Sequence, residues 1–260
     1  MSETTQVVHF HPQYESKKIE ILGFVAQFND AGNNVLKEDR NVIKTFEFED
    51  NKINIKSFKT PNVFNSFVYK FIRKSKAKRS FEYAKKLLDV QILTPFPIAY
   101  IEEFSASGLQ NSYYISEHID YDFDFRDLIH QPKFPDRVNI LQQFTEFTFK
   151  LHENNVNFYD HSPGNTLIVK KDNSQYDFYL IDLNRMSFET MDFNKRMHNF
   201  RRLWLSKTMI NIMSDTYAKL YNKGYYETHD LMLKYSREFQ RKIDSKKLRK
   251  SGRKMKFKSQ

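Results

Sequence analysis

Cysteine is absent from the 260 residues, which excludes disulfides, thiolate zinc sites and cysteine nucleophiles. Also missing is any apolar run near the roughly 18–20 residues that cross a bilayer. The opening stretch MSETTQVVHFHPQYESKK lacks the apolar core of a secretion signal. These absences lead to the expectation of a soluble, cytosolic protein. Glycine is scarce, at six residues, and no Ser/Gly/Pro linker or internal repeat divides the chain. Aromatic residues are abundant: 25 Phe and 15 Tyr are far more than a disordered chain carries. The length allows one large domain or two small lobes.

The net charge of +10 is concentrated at one end. Between Arg241 and Lys258 stand ten cations against Asp244 alone. Three readings are open for such a run. It is a solvated chain end, a binder of anionic membrane at about 1 kcal/mol per Lys or Arg, or a nucleic-acid contact. Phe257 is the only aromatic residue in the last fifteen, so stacking aromatics do not interleave the cations. The nucleic-acid reading therefore ranks last.

The hydrophobic pattern divides the chain in two. A short amphipathic helix is expected around residues 15–27. Three alternating runs follow, NNVLK (33–37), NVIKTFEF (41–48) and INIKSFK (53–59), joined by short polar turns. Such runs read as an antiparallel meander. Residues 62–88 have helical spacing with a break near Ser75. TPFPIAYIEEF returns to extended chain because its prolines forbid helix, and SYYISEHI (112–119) is a further strand. From Phe125 onward helices dominate, with Ile140, Phe144, Phe147 and Leu151 on one face of 137–155 and further helices over 199–222 and 229–243. The expected fold class is α+β: a small antiparallel β lobe carrying a helix (1–118), a mainly helical lobe (119–244) and a basic tail (245–260).

Between the two halves lies FYDHSPGNTLI, residues 158–168. Asp, Asn, Pro and Gly there suit a turn on local grounds, and one reading of Asp160 is a turn cap. The other is that the turn aims Asp160 and Asn165 at one point. TLIVK (166–170) and DFYLID (177–182) flank the turn KDNSQ. Paired as a hairpin, they would return Asp182 beside Asn165. Two carboxylates and an amide oxygen form a hard-oxygen set suited to Mg²⁺ and phosphate. Five residues separate Asp160 from Asn165, the spacing of the protein-kinase catalytic loop D-x-x-x-x-N, and LIDLNR stands where D-F-G would follow.

Such a site also needs a phosphate-neutralising lysine. Lys56, on the third run, is preferred over Lys44 on the second. Glu82 is the one glutamate between Pro61 and Ile101, and is expected to pair with Lys56; the alternative is a local pair with Arg79, Lys78, Lys85 or Lys86. No G-x-G-x-x-G covers the phosphates, so Arg40 is either a substitute contact or an exposed turn residue. Backbone groups of Glu117 and Ile119 would face an adenine. His118 and His161 are not read as metal ligands.

Taken together, FYDHSPGNTLI…YLIDLNRMSF, with NVIKTFE, INIKSFK, RKSKAKRSFEYA and TPFPIAYIEE in order, resembles the lipopolysaccharide kinases, the Kdo and heptose kinase family, especially a Bacteroidetes-type branch. The similarity runs from about Arg40 to Trp204. It implies a bilobal protein-kinase-like fold and transfer of the ATP γ-phosphate to a sugar of the lipid A–core region. The setting implied is peripheral, at the cytoplasmic face of the membrane. Carried onto this chain, Asp160 would be the catalytic base, Asn165 and Asp182 the Mg²⁺ ligands, and Lys56 the phosphate lysine. Tyr159-Asp160 in place of Arg-Asp, DLN in place of DFG and no A-P-E segment are departures from wider kinases. The last two argue against a protein substrate. A non-catalytic pseudokinase is the alternative, and neither the sugar nor the oligomeric state is legible.

Overall fold

The structure, a computed structural model, describes residues 4–38, 41–60, 66, 68, 69 and 73–258, the side chains of 34–38 and 250–258 excepted. The chain forms two compact units, one of residues 1–120 with Asp182–Asn184, the other of 121–181 with 185–260.

The first unit is an antiparallel sheet with a helix on each face. Its strands are β1 (Thr5–Phe10), β2 (Asn33–Glu38), β3 (Asn41–Phe48), β4 (Asn51–Phe58), β5 (Pro97–Ser105) and β6 (Gly108–Glu117), ordered β1-β5-β6-β4-β3-β2. The three alternating runs form the expected meander, with Asn41 opposite Phe58 and Phe48 opposite Asn51. β1 was not anticipated; it joins the sheet edge against β5. TQVVHF is short, and Pro12 just after it is the one local signal beside it. Gly108 closes the β5–β6 hairpin at φ +118°, a conformation that glycine adopts without strain.

Alternation on β4 determines where chemistry can sit. Ile53 and Ile55 point to a core shared with Ile21 and Val25 of α1 (Lys18–Ala26), while Lys56 and Phe58 take the opposite face. There Phe58 packs with Ala77 and Phe81 of α2 (Lys76–Asp89). Ser75 caps α2, its hydroxyl accepting from the Lys78 amide at 3.0 Å, where the second of the two expected helices was to begin; most of the first lies outside the described residues.

The second unit is mainly helical. It contains α3 (Phe125–His130), α4 (Arg137–Glu153), α5 (Phe193–Asn199), α6 (Lys207–Tyr221) and α7 (Tyr225–Lys258). Its strands are β7 (Phe123–Asp124), β8 (Val156–Phe158), β9 (Thr166–Lys170), β10 (Tyr176–Leu180) and β11 (Met186–Phe188). Ile140, Phe144 and Leu151 of α4 are buried and Phe147 is partly so, which is the face expected from their spacing. The segment 199–222, expected as one helix, is broken. A 3₁₀ turn over Phe200–Leu203 runs into Trp204 at φ +56°, and Ser206 caps α6 by accepting from the Met209 amide. Over the basic run the backbone of α7 continues through Lys258.

Candidate functional site

β9 and β10 pair antiparallel, with Thr166 opposite Leu180 and Lys170 opposite Tyr176, so the expected hairpin forms. At its open end the Ile181 amide donates to the Asn165 carbonyl at 3.0 Å. The preceding loop is anchored by β8, where Phe158 lies opposite Met186 and the Tyr159 amide donates to the Arg185 carbonyl. Pro163 opens a single 3₁₀ turn ending at Asn165. The Asn165 side-chain amide donates to the Asp160 carbonyl at 2.8 Å, which closes the loop and leaves Oδ1 without a partner among the described residues. Asp160 is therefore more than a turn cap: its carbonyl holds Asn165, and its carboxylate contacts two arginines. Arg202 Nη2 lies 2.7 Å from Oδ1, and Arg185 Nη1 lies 3.7 Å from Oδ2.

Other loop residues are fixed by burial. His161 is fully buried, with Nδ1 2.8 Å from Asn199 Oδ1, and burial pushes its pKa down to about 4. Gly164 lies against the Arg126 guanidinium, where any side chain would collide.

In the first unit, Lys56 Nζ is 2.6 Å from Asp182 Oδ1, an ion pair bridging 126 residues of sequence. Asn184 Nδ2 donates to the same oxygen at 2.7 Å. Asp182 adopts φ +57°, which aspartate tolerates better than most side chains. Its neighbour Leu183 is buried. The segment is pinned by Arg79 of α2, whose Nη1 donates to the Asn184 carbonyl at 2.8 Å. Arg79, a candidate local partner of Glu82 by spacing, is buried.

One expectation needs correction. Glu82 does not pair with Lys56; Lys74 Nζ contacts both its carboxylate oxygens, at 2.9 and 2.7 Å. Lys74 precedes the cap of α2, two turns from Glu82 along one helix face, so a flexible stem reaches it locally while Lys56 holds Asp182. Lys44 is engaged elsewhere, donating to the carbonyls of Asn29 and Ala31, and this favours Lys56 over Lys44. The Glu117 amide is also taken, by the Phe96 carbonyl at 2.9 Å, and its carboxylate accepts from Tyr14 at 2.5 Å. For the Ile119 amide no backbone partner occurs among the described residues, so it is open to a nucleotide. Arg40 lies outside the described residues. His118 contacts Asn54 and Asp120.

Asp182 and Asn165, each taken by itself, offer oxygens of the kind a divalent cation binds. Among the described residues both contacts to Asp182 fall on Oδ1 and none falls on Oδ2, and the Asn165 amide nitrogen, not its Oδ1, makes the bond to the loop. These are carboxylate and amide oxygens, the ligands that Mg²⁺ prefers. Arg202, Arg185, Arg79 and Asn199 were missed from sequence. Each contacts a partner remote in the chain, and nothing around it marks it out.

The solved structure of WaaP in complex with acyl carrier protein matches with a TM-score of 0.63 at 14% identity, covering 90% of this chain and 98% of that one. A MAP kinase from Leishmania major matches with a TM-score of 0.43 at 15% identity, covering 84% and 66%. No curated protein sequence matches. The fold is the bilobal, protein-kinase-like one of the first of these structures. The model of the lipopolysaccharide kinase (Kdo/WaaP) family matches residues 42–225, a span that contains Lys56, Asp160, Asn165 and Asp182 and runs past the similarity read from sequence. On that match, the chain belongs to the lipopolysaccharide kinase (Kdo/WaaP) family.

Proposed function

We propose that this kinase transfers the γ-phosphoryl group of ATP to a sugar hydroxyl, of Kdo or heptose, in the lipid A–core region of lipopolysaccharide. The observation that carries this reading is the Lys56–Asp182 pair, 2.6 Å long, with Asn184 donating to the same carboxylate oxygen and itself held by Arg79. Such an ammonium is a ready-made partner for phosphate oxygens. Asp160 accepts the hydroxyl proton as that oxygen bonds to the γ-phosphorus. The bond to the β–γ bridging oxygen breaks, and ADP leaves with its electron pair. Lys56 offsets phosphate charge, and the Glu117 carbonyl and Ile119 amide meet the adenine. Asn165 and Asp182 would hold Mg²⁺, whose charge screens the phosphates. The protein supplies mainly positioning and preorganised charge.

The acceptor would be reached by a peripheral, cytoplasmic-side encounter with the membrane. Among the described residues no helix is long and apolar enough to cross a membrane. The cations of Arg241–Lys258 support electrostatic attachment to an anionic surface.

A non-catalytic pseudokinase that binds membrane is a second reading. It is favoured by one observation, the engagement of Glu82 with Lys74 in place of Lys56. One experiment separates the two: incubation of purified protein with Mg·ATP and Kdo–lipid A, or with free sugars, followed by mass spectrometry. Addition of one phosphate to the glycolipid supports the kinase reading. Nucleotide binding without any mass shift supports the other.

A further inference from the structure

The function proposed above leaves the side chains of Asn199–Arg202 unused, yet this one turn binds four consecutive residues of the loop that carries Asp160. Asn199 ends α5 and is 2% exposed. Its amide group donates to Asn157 Oδ1 at 3.0 Å and to the Phe158 carbonyl at 2.9 Å. Its Oδ1 faces His161 Nδ1 at 2.8 Å and His152 Nε2 at 3.4 Å. An amide oxygen only accepts, so both imidazole nitrogens carry hydrogen there. His152 Nδ1 is left to accept from the Tyr217 hydroxyl, 2.8 Å away. Both rings are neutral, since burial pushes the pKa of His161 down to about 4 and of His152 to about 3. All four hydrogen-bonding valences of Asn199 are occupied.

Three residues on, Arg202 completes the grip. Nη1 faces the Tyr159 carbonyl at 3.4 Å, and Nη2 lies 2.7 Å from Asp160 Oδ1. Phe158, Tyr159, Asp160 and His161 are thus each held from residues 199–202. The guanidinium also lies over the Phe239 ring, at 5.7 Å, which limits its movement on that side. Its Nε is buried without a partner among the described residues. A buried donor without a partner is costly, so the arginine sits there for what its other two nitrogens do.

We infer that Arg202 is a positioning residue for Asp160. By holding Oδ1 in a charge-assisted bond, it presents Oδ2 to the acceptor hydroxyl, while Asn199 fixes the backbone on either side. Arg185 does not compete for Oδ2. At 3.7 Å and 57% exposed it is beyond hydrogen-bond length. The carboxylate would otherwise rotate about two side-chain bonds, and misplacement by about 1 Å costs on the order of 10²-fold in rate. The inference rests on the reading of Asp160 as the base.

The test measures kcat, KM for ATP and melting temperature of the full chain carrying Arg202→Gln, Arg202→Lys, Asp160→Asn, or Asp160→Asn with Arg202→Gln, using Mg·ATP and Kdo–lipid A. Arg202→Gln is expected to lower kcat roughly 10–100-fold with KM for ATP unchanged. Arg202→Lys should recover part of the loss, because lysine keeps the charge but not the two-pronged geometry. On top of Asp160→Asn, the glutamine should cost less than about twofold, since a positioner has nothing left to position. Wild-type kcat in folded Arg202→Gln, or a double-variant loss equal to the product of the single losses, overturns the inference. Should the glutamine variant melt too low to assay, Arg202→Lys takes its place in the cycle, and a loss that persists undiminished on top of Asp160→Asn overturns the inference equally. Full activity of Asp160→Asn alone would instead remove the reading of Asp160 as the base, a distinguishable failure.

Discussion

Lys44 and Lys56 stand on adjacent strands, twelve residues apart, and their surroundings give them different work. Lys44 is buried and donates to two backbone carbonyls, whereas Lys56 holds a carboxylate. Lys44→Met should therefore lower stability by about 1–3 kcal/mol, through two carbonyls left without a donor, and leave phosphoryl transfer intact. Lys56→Met should do the reverse, and chemical denaturation beside a transfer assay separates the two. Asp182→Ala removes the carboxylate that both Lys56 and Asn184 contact. Wild type should show a large thermal shift with Mg·ATP and this variant almost none; equal shifts would place the cation elsewhere. The preference for Lys56 was legible because strand alternation needs only neighbouring residues. The partner of Glu82 was not, because Lys74 lies beyond the i,i+3 and i,i+4 positions where helix pairs are sought.

Most elements could be read locally. NVIKTFEF is β3 and TLIVK is β9, residue for residue, since a period of two and a bounding turn specify a strand without tertiary help. The break before α6 was missed because NFRRLWLSKTM keeps helical spacing across it. The signal that was available is Ser206, a capping residue placed before a helical run. Ser206→Ala is expected to cost about 1 kcal/mol and to lower the melting temperature by about 2–4 °C, as read by calorimetry. Gly164→Ala should perturb stability by less than about 1 kcal/mol, although the added methyl meets Arg126. That guanidinium is the far end of a flexible, 62% exposed side chain and can swing away.

For the molecule as a whole, two buried histidines set a pH dependence. Folded His161 and His152 stay neutral down to about pH 4 and about pH 3, whereas unfolded imidazole protonates near pH 6.5. Below that value the unfolded chain binds more protons, so stability falls as pH falls. The slope approaches about 1.4 kcal/mol per pH unit for each ring. Denaturant midpoints should be flat from pH 8 to 7 and drop steeply between pH 6.5 and 5; a flat profile to pH 5 would show that the rings are solvated. At the other end of the chain, deleting residues 245–260 should spare activity on a soluble sugar acceptor and reduce it on acceptor embedded in vesicles. Sedimentation of wild type with anionic vesicles should be lost near ~0.5 M salt, where screening shortens the field to a few ångströms. If the truncated chain sediments equally well, the basic end of α7 plays no part in attachment.

By itself the sequence determined the α+β division, the meander, the β9–β10 hairpin and the spacing of Asp160, Asn165 and Asp182. Each of these depends on neighbours within a few residues, through side-chain alternation, prolines that forbid helix or turn chemistry. Only the tertiary structure decided which charged groups meet. Lys56 reaches Asp182 across 126 residues, Arg79 reaches Asn184 across 105, and Asn199 reaches Phe158 across 41. An arginine or asparagine carries the same donors wherever it stands in a sequence. Its role is assigned when folding buries it beside one acceptor, because a buried donor must find a partner and a solvated one need not.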